Sequence, residues 1–174
     1  MEAEILDRPP LSGDFEEHNF SMSGNTLWVK FLDEDYLEWV GVFSQSGWSP
    51  FNTVFRIPNE KKFLVVAGGQ GYFVDPNKRE IISRTEWDGI NNILYNDETG
   101  FLVATDGLCL ALFKGPKLKW SGERVSADGI SFTGQSGPII KGVLNDLTDE
   151  GCKFTFNAIT REFKAAWILS ENWG

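Results

Sequence analysis

Apolar and polar residues alternate in short runs from Leu27 onward. Leu27-Trp28-Val29-Lys30-Phe31-Leu32 and Tyr36-Leu37-Glu38-Trp39-Val40-Gly41-Val42-Phe43 flank the acidic turn Asp33-Glu34-Asp35, the pattern of a hairpin of aromatic and β-branched strands. Further strands are expected at Phe51 to Ile57, Lys62 to Ala67, Tyr72 to Asp75 and Arg79 to Ser83. The same rhythm continues through Ile93 to Tyr95, Phe101 to Ala104, Leu108 to Phe113, Leu118 to Trp120, Ile130 to Thr133, Ile139 to Leu144 and Lys153 to Asn157. Asp106-Gly107 suits a tight hairpin turn, because glycine accepts the positive φ such a turn requires. Short strands with turn signals every 8–12 residues or so predict an all-β antiparallel chain built from consecutive hairpins. Helix is expected in fewer than about a tenth of the residues. The one candidate helix contains Phe163, Ala166 and Trp167, a segment that also reads as strand.

Two architectures satisfy this pattern. One is a β-sandwich or flattened barrel. The other is a degenerate repeat of propeller-blade type. Its signal is Trp87-Asp88-Gly89-Ile90 against Ala127-Asp128-Gly129-Ile130, 40 residues apart, and Val74-Asp75-Pro76-Asn77-Lys78-Arg79-Glu80 against Phe156-Asn157-Ala158-Ile159-Thr160-Arg161-Glu162. A period near 40 accommodates one four-stranded blade. Residues 1–25 are polar, acidic and turn-rich, and read as an extended leader that either lies on the domain or is mobile. Residues 26–174 then form a single all-β domain. Removal of the leader is expected to leave stability nearly unchanged.

The stretch Val65-Val66-Ala67-Gly68-Gly69-Gln70-Gly71-Tyr72-Phe73-Val74-Asp75 and the stretch Trp120-Ser121-Gly122-Glu123-Arg124-Val125-Ser126-Ala127-Asp128-Gly129-Ile130 together resemble a family of uncharacterised bacterial all-β proteins. The resemblance spans about Trp39 to Phe163, and Ala127 stands where the pattern has a bulky aromatic. It implies a bacterial, cytosolic origin and brings no assigned substrate.

Charge narrows the functional classes. The 174 residues carry a net charge of -9, which disfavours nucleic acid, since phosphate neutralisation needs clustered Lys and Arg. Lys114, Lys117 and Lys119 form the one basic cluster and read as a guarded sheet edge. No run approaches 18 apolar residues, so no membrane partner is expected. The N-terminus lacks a basic n-region and an apolar h-region, which points to the cytoplasm. Cys109 and Cys152 are expected as ordinary buried thiols.

Catalytic schemes find few parts. His18, the only histidine, lies in the leader, where it is expected to be solvated rather than to serve as a positioned base. Gly134-Gln135-Ser136-Gly137 has the wrong spacing for a nucleophile elbow. Gly68-Gly69-Gln70-Gly71 precedes a strand, whereas a phosphate loop precedes a helix N-terminus. Two distant cysteines and one histidine do not make a zinc set, and the acidic runs at Asp33-Glu34-Asp35 and Asn96-Asp97-Glu98 read as hairpin tips. No cofactor or metal is expected.

The reading that remains is a non-catalytic, acidic protein-interaction domain with a basic protein partner. A bacterial toxin-neutralising (immunity) protein is one form of it, and an accessory subunit another. Seven Trp residues supply the anchors; Trp48, Trp87 and Trp120 lie in or beside loops, with Asp88, Arg124 and Asp128 as neighbouring polar candidates. The rival is a carbohydrate-binding or carbohydrate-cleaving domain, with Trp platforms and Asp88 or Asp128 as the carboxylates.

Overall fold

A computed structural model describes residues 1–11, 13–22, 24–58, 60–145 and 151–165. Among these residues there are sixteen strands and no helix, so the fold is all-β and antiparallel-dominated as expected. Ala166 and Trp167 of the candidate helix lie outside the described residues, and Phe163–Ala165 is a strand. Every strand expected from the pattern is present, and three more are added at the two ends.

The chain divides into two compact units, Met1–Gly89 and Ile90–Gly174. Each unit holds two four-stranded sheets that share a core. The first sheet consists of β1 (Glu2–Leu6), β2 (Glu16–Asn19), β3 (Thr26–Leu32) and β4 (Glu38–Ser44), in the order β1-β3-β4-β2. The second runs in chain order through β5 (Thr53–Arg56), β6 (Phe63–Ala67), β7 (Gln70–Asp75) and β8 (Glu80–Arg84). In the second unit, β9 (Asn92–Asn96), β10 (Phe101–Thr105), β11 (Cys109–Lys114) and β12 (Lys117–Arg124) form one meander. The other comprises β13 (Ile130–Ser136), β14 (Ile139–Leu144), β15 (Cys152–Asn157) and β16 (Phe163–Ala165).

Alternation sets which face is buried. Leu27, Val29 and Phe31 point inward from β3, and with Trp39 and Phe43 of β4 they meet Phe63, Val65, Ala67, Tyr72 and Val74 of β6 and β7. Trp39 is fully buried, stacks on Phe31 at 4.4 Å between ring centres, and donates its indole N–H to the Pro76 carbonyl at 3.0 Å. That bond removes the cost of burying an unpaired indole donor. The second unit closes over Val103, Leu110 and Leu112 against Ile130, Ile140, Leu144, Cys152, Phe154 and Phe156. Cys152 is buried as expected, Cys109 is only half-buried, and neither is in a disulfide.

Of the two alternatives for the leader, the structure shows the one in which it lies on the domain. β1 pairs antiparallel with β3 and β2 pairs parallel with β4, so residues 1–25 grip both edges of the β3–β4 hairpin. Low hydrophobicity concealed this. An edge strand contributes backbone hydrogen bonds and only a few apolar contacts, here through Met1, Ala3, Ile5 and Phe20.

The internal echoes mark equivalent places in successive meanders, whose first strands begin at Thr53, Asn92 and Ile130, about 39 residues apart. In the β7–β8 turn, Asp75 Oδ1 accepts from the amides of Asn77 (3.0 Å) and Lys78 (3.1 Å). In the β15–β16 turn, Asn157 Oδ1 accepts from those of Ile159 (2.8 Å) and Thr160 (3.1 Å). Each turn then places an arginine in the left-handed region, Arg79 at φ 56° and Arg161 at φ 64°. The Asn96 turn has the same form and uses Gly100 there, at φ 65°. Left-handed backbone costs a side-chain-bearing residue about 1–2 kcal/mol, part of which glycine returns as unfolded-chain entropy. Arg161 is exposed, so Arg161→Gly is expected to raise stability by up to about 1 kcal/mol in denaturant titration. Arg79→Gly is expected to lower it, because Arg79 carries the ion pairs described below. The same sign for both substitutions would contradict this account.

Candidate functional site

Trp48 is 78% exposed on the loop between β4 and β5, and Tyr36 in the β3–β4 turn is 82% exposed. The Trp48 loop is pinned to the β6–β7 turn. Ser46 N–H donates to the Ala67 carbonyl at 3.3 Å and Ser49 N–H to the Gly68 carbonyl at 3.4 Å, while Gly69 N–H donates to the Phe51 carbonyl at 3.3 Å. Asn52 Oδ1 accepts from Gly68 N–H at 2.8 Å. The Ser46 hydroxyl lies against the Gly68 carbonyl and 3.0 Å from the Asp88 carbonyl, and accepts from Trp48 N–H at 3.3 Å.

These contacts explain the Gly68-Gly69-Gln70-Gly71 run. A Cβ at Gly68 would meet Gln45 Cβ at 2.7 Å and Ser46 N at 2.9 Å; one at Gly71 would meet the Thr85 methyl at 2.6 Å. The glycines admit a neighbouring loop and a neighbouring threonine, which is turn and packing chemistry. Thr85 is buried, takes Gly71 N–H at 3.1 Å and donates to the Trp87 carbonyl at 2.7 Å, and Gln70 Nε2 reaches Thr85 Oγ1 at 2.9 Å. Trp87 is half-buried and Asp88 exposed. The Ser46 hydroxyl thus ties the backbone amide of Trp48 to the backbone carbonyl of Asp88, the residue after Trp87.

The remaining sequence candidates lie in the second unit and have structural partners. Trp120 is half-buried and stacks on Phe156 at 5.3 Å with the rings 17° from parallel. Arg124 donates to the Ser126 carbonyl at 2.9 Å and the Ala127 carbonyl at 3.2 Å, stapling the turn before Asp128. Ser126 Oγ donates to the Gly129 carbonyl at 2.7 Å, so the Ala127-Asp128-Gly129 segment is a closed turn leading into buried Ile130. The Asp128 side chain is exposed.

A polar cluster that sequence reading missed surrounds Arg79. Its guanidinium pairs with Glu16 on β2 and lies 3.4 Å from Asp33 Oδ2. His18, expected to be solvated, is partly buried on β2, donates Nε2–H to Glu16 Oε1 at 2.8 Å and meets the Trp39 ring edge-on at 5.3 Å. Asp33 is buried, and its Oδ1 accepts from the amides of Asp35 and Leu37, both at 2.9 Å. The Asp33-Glu34-Asp35 run is therefore a turn closed by its own carboxylate. Arg79, in the left-handed region at φ 56°, reaches Glu16 on β2 from 63 residues away, a separation that local composition does not reveal.

Hydrogen bonds from His18 and then Arg79 hold the Glu16 carboxyl below the usual carboxylate range; the Leu37 and Asp35 amides, with Arg79 beside them, do the same for Asp33. A depressed folded value means that these contacts stabilise fully above the unfolded value, about 4 to 4.5, and are lost as pH falls through the lower folded value. Thermal melts of wild type and Glu16→Gln from about pH 7 to pH 3 test this. The variant is expected to melt lower near neutrality, with the two curves converging in acid. A gap that persists at the acid end would contradict it.

Among the described residues, no group of three His, Cys, Asp or Glu side chains is placed to hold a metal ion, and no helix is long and apolar enough to cross a membrane. No protein-family model matches this chain, and no curated protein matches it.

Proposed function

We propose that this chain is a non-catalytic, acidic interaction domain that binds a basic protein, with Trp48 as its contact anchor. The observation that carries the reading is an indole 78% exposed on a loop held by backbone and serine hydrogen bonds. A loop whose backbone is already held spares the cost of ordering that backbone at an interface. The net charge of -9 supports a basic partner by raising the association rate over a Debye length of about 10 Å at 0.1 M salt. A cytoplasmic bacterial protein that masks a basic toxin, or an accessory subunit of a larger assembly, fits this chemistry. The two motifs described above support the bacterial origin.

The test is binding kinetics against basic proteins encoded by neighbouring genes. Association is expected to slow as salt rises, and Trp48→Ala to raise the dissociation rate by roughly 30-fold or more, the equivalent of about 2 kcal/mol. An unchanged dissociation rate removes Trp48 as the anchor, and salt-independent association removes the charge argument. The same exposed indole also suits stacking on a sugar ring. Quenching of Trp48 fluorescence by oligosaccharide, absent in Trp48→Ala, would favour that reading instead.

A further inference from the structure

We propose that β2 is a displaceable strap, and that the β4 edge beneath it accepts the β2 strand of a second copy of this chain, giving a strand-exchanged dimer. β2 is four residues long and pairs parallel in a sheet whose other pairings are antiparallel. Parallel pairing is slightly the weaker per residue. Glu16, Glu17 and Asn19 face solvent, so the strand is held largely by polar contacts. These are the Glu16–Arg79 ion pair and the Ser44 hydroxyl, which donates to Ser21 Oγ at 3.0 Å and accepts from Met22 N–H at 3.2 Å. Its main apolar contact is Phe20, 5.4 Å from Phe43 and 6.4 Å from Trp39 between ring centres.

The surface beneath is of the opposite character. β4 runs Glu38-Trp39-Val40-Gly41-Val42-Phe43-Ser44, with its five central residues buried. Uncovered, its edge would present a row of unpaired amides and carbonyls beside an apolar strand, the kind of edge that recruits another strand. Of the other sheet edges, β8, β12 and β13 carry register shifts against their neighbours and β16 is three residues long, while β1, β5 and β9 pair without a shift. The occupant is specified by the fold itself. A second copy brings the same Glu16-Glu17-His18-Asn19 strand and the same Arg79, so reciprocal exchange restores the β2–β4 ladder and the Glu16–Arg79 pair. Closed twofold exchange of an identical element is a low-cost route to a dimer.

Intermolecular disulfide trapping on the full chain tests this. Glu17 and Val40 are register partners across β2 and β4. Copies bearing Glu17→Cys are mixed with copies bearing Val40→Cys over a concentration series, against a control of unsubstituted chain that contains only Cys109 and Cys152. A disulfide joining the two kinds of copy is expected, beyond any linkage in the control. Its rate should rise at least tenfold when Glu16→Gln or Arg79→Ala is added to both. Glu16 is exposed, so Glu16→Gln keeps the test valid should Arg79→Ala unfold. Hydrogen exchange is expected to show β2 amides opening faster than β3–β4 amides. The proposal is overturned if no joined species exceeds the control at any concentration. It is equally overturned if β2 amides exchange only with global unfolding, or if trapping is indifferent to Glu16→Gln.

Discussion

Deletion of residues 1–24 is expected to lower the unfolding free energy on the order of 3–5 kcal/mol and to leave Trp39 partly uncovered. The segment looks dispensable in sequence, yet β1 and β2 complete the two edges of the β3–β4 hairpin. Met1, Ala3, Ile5 and Phe20 pack on the first core, and half-burial of such side chains contributes about 1 kcal/mol each. His18 and Phe20, stacked on each other, also meet the Trp39 ring edge-on, and the Lys30–Glu4 pair at 2.8 Å bridges β1 to β3. Loss of ordering entropy for a mobile segment offsets part of this gain. Guanidinium titration of the full and shortened chains measures the difference. Identical midpoints would mean that the paired arm contributes nothing net, despite its hydrogen bonds.

The second large effect separates two tryptophans that the sequence places alike. Trp120→Ala is expected to cost about 2–4 kcal/mol of stability, because its ring is half-buried and stacked on fully buried Phe156, so truncation leaves a void in the second core. Trp48→Ala is expected to change stability by less than about 0.5 kcal/mol, since the indole is largely in solvent and the loop is held by backbone and Ser46 contacts. Its effect belongs in the dissociation rate of a complex. Melting curves of both variants decide the matter. A Trp48→Ala loss comparable to that of Trp120→Ala would show that the ring is a packing element, and would leave the interaction reading without its anchor.

Which loops were functional candidates was less legible than the strands themselves. Trp48 in a Ser/Gly/Pro loop and Trp120 before Ser121-Gly122 look equivalent along the chain. They separate only when β12 is laid against β11 and its Trp120 reaches Phe156. The paired echoes were legible because turns are local. Asp75 and Asn157 build the same hydrogen-bonded turn from residues within a few positions of themselves. The meaning of Arg79 was not local, since its Glu16 partner lies 63 residues away in sequence.

The sequence by itself determined the all-β class, the positions of thirteen strands, the turn chemistry and the period near 40. Each of these follows from alternation and from backbone preferences within about ten residues. Tertiary structure alone decided that the polar N-terminal arm is paired, which strands share each core cluster, and that Trp48 is exposed while Trp120 is packed. These depend on which strand edges and side chains meet across long separations. A strand edge offers the same amides and carbonyls whatever its side chains, so composition could not announce that β4 would take β2 as its neighbour.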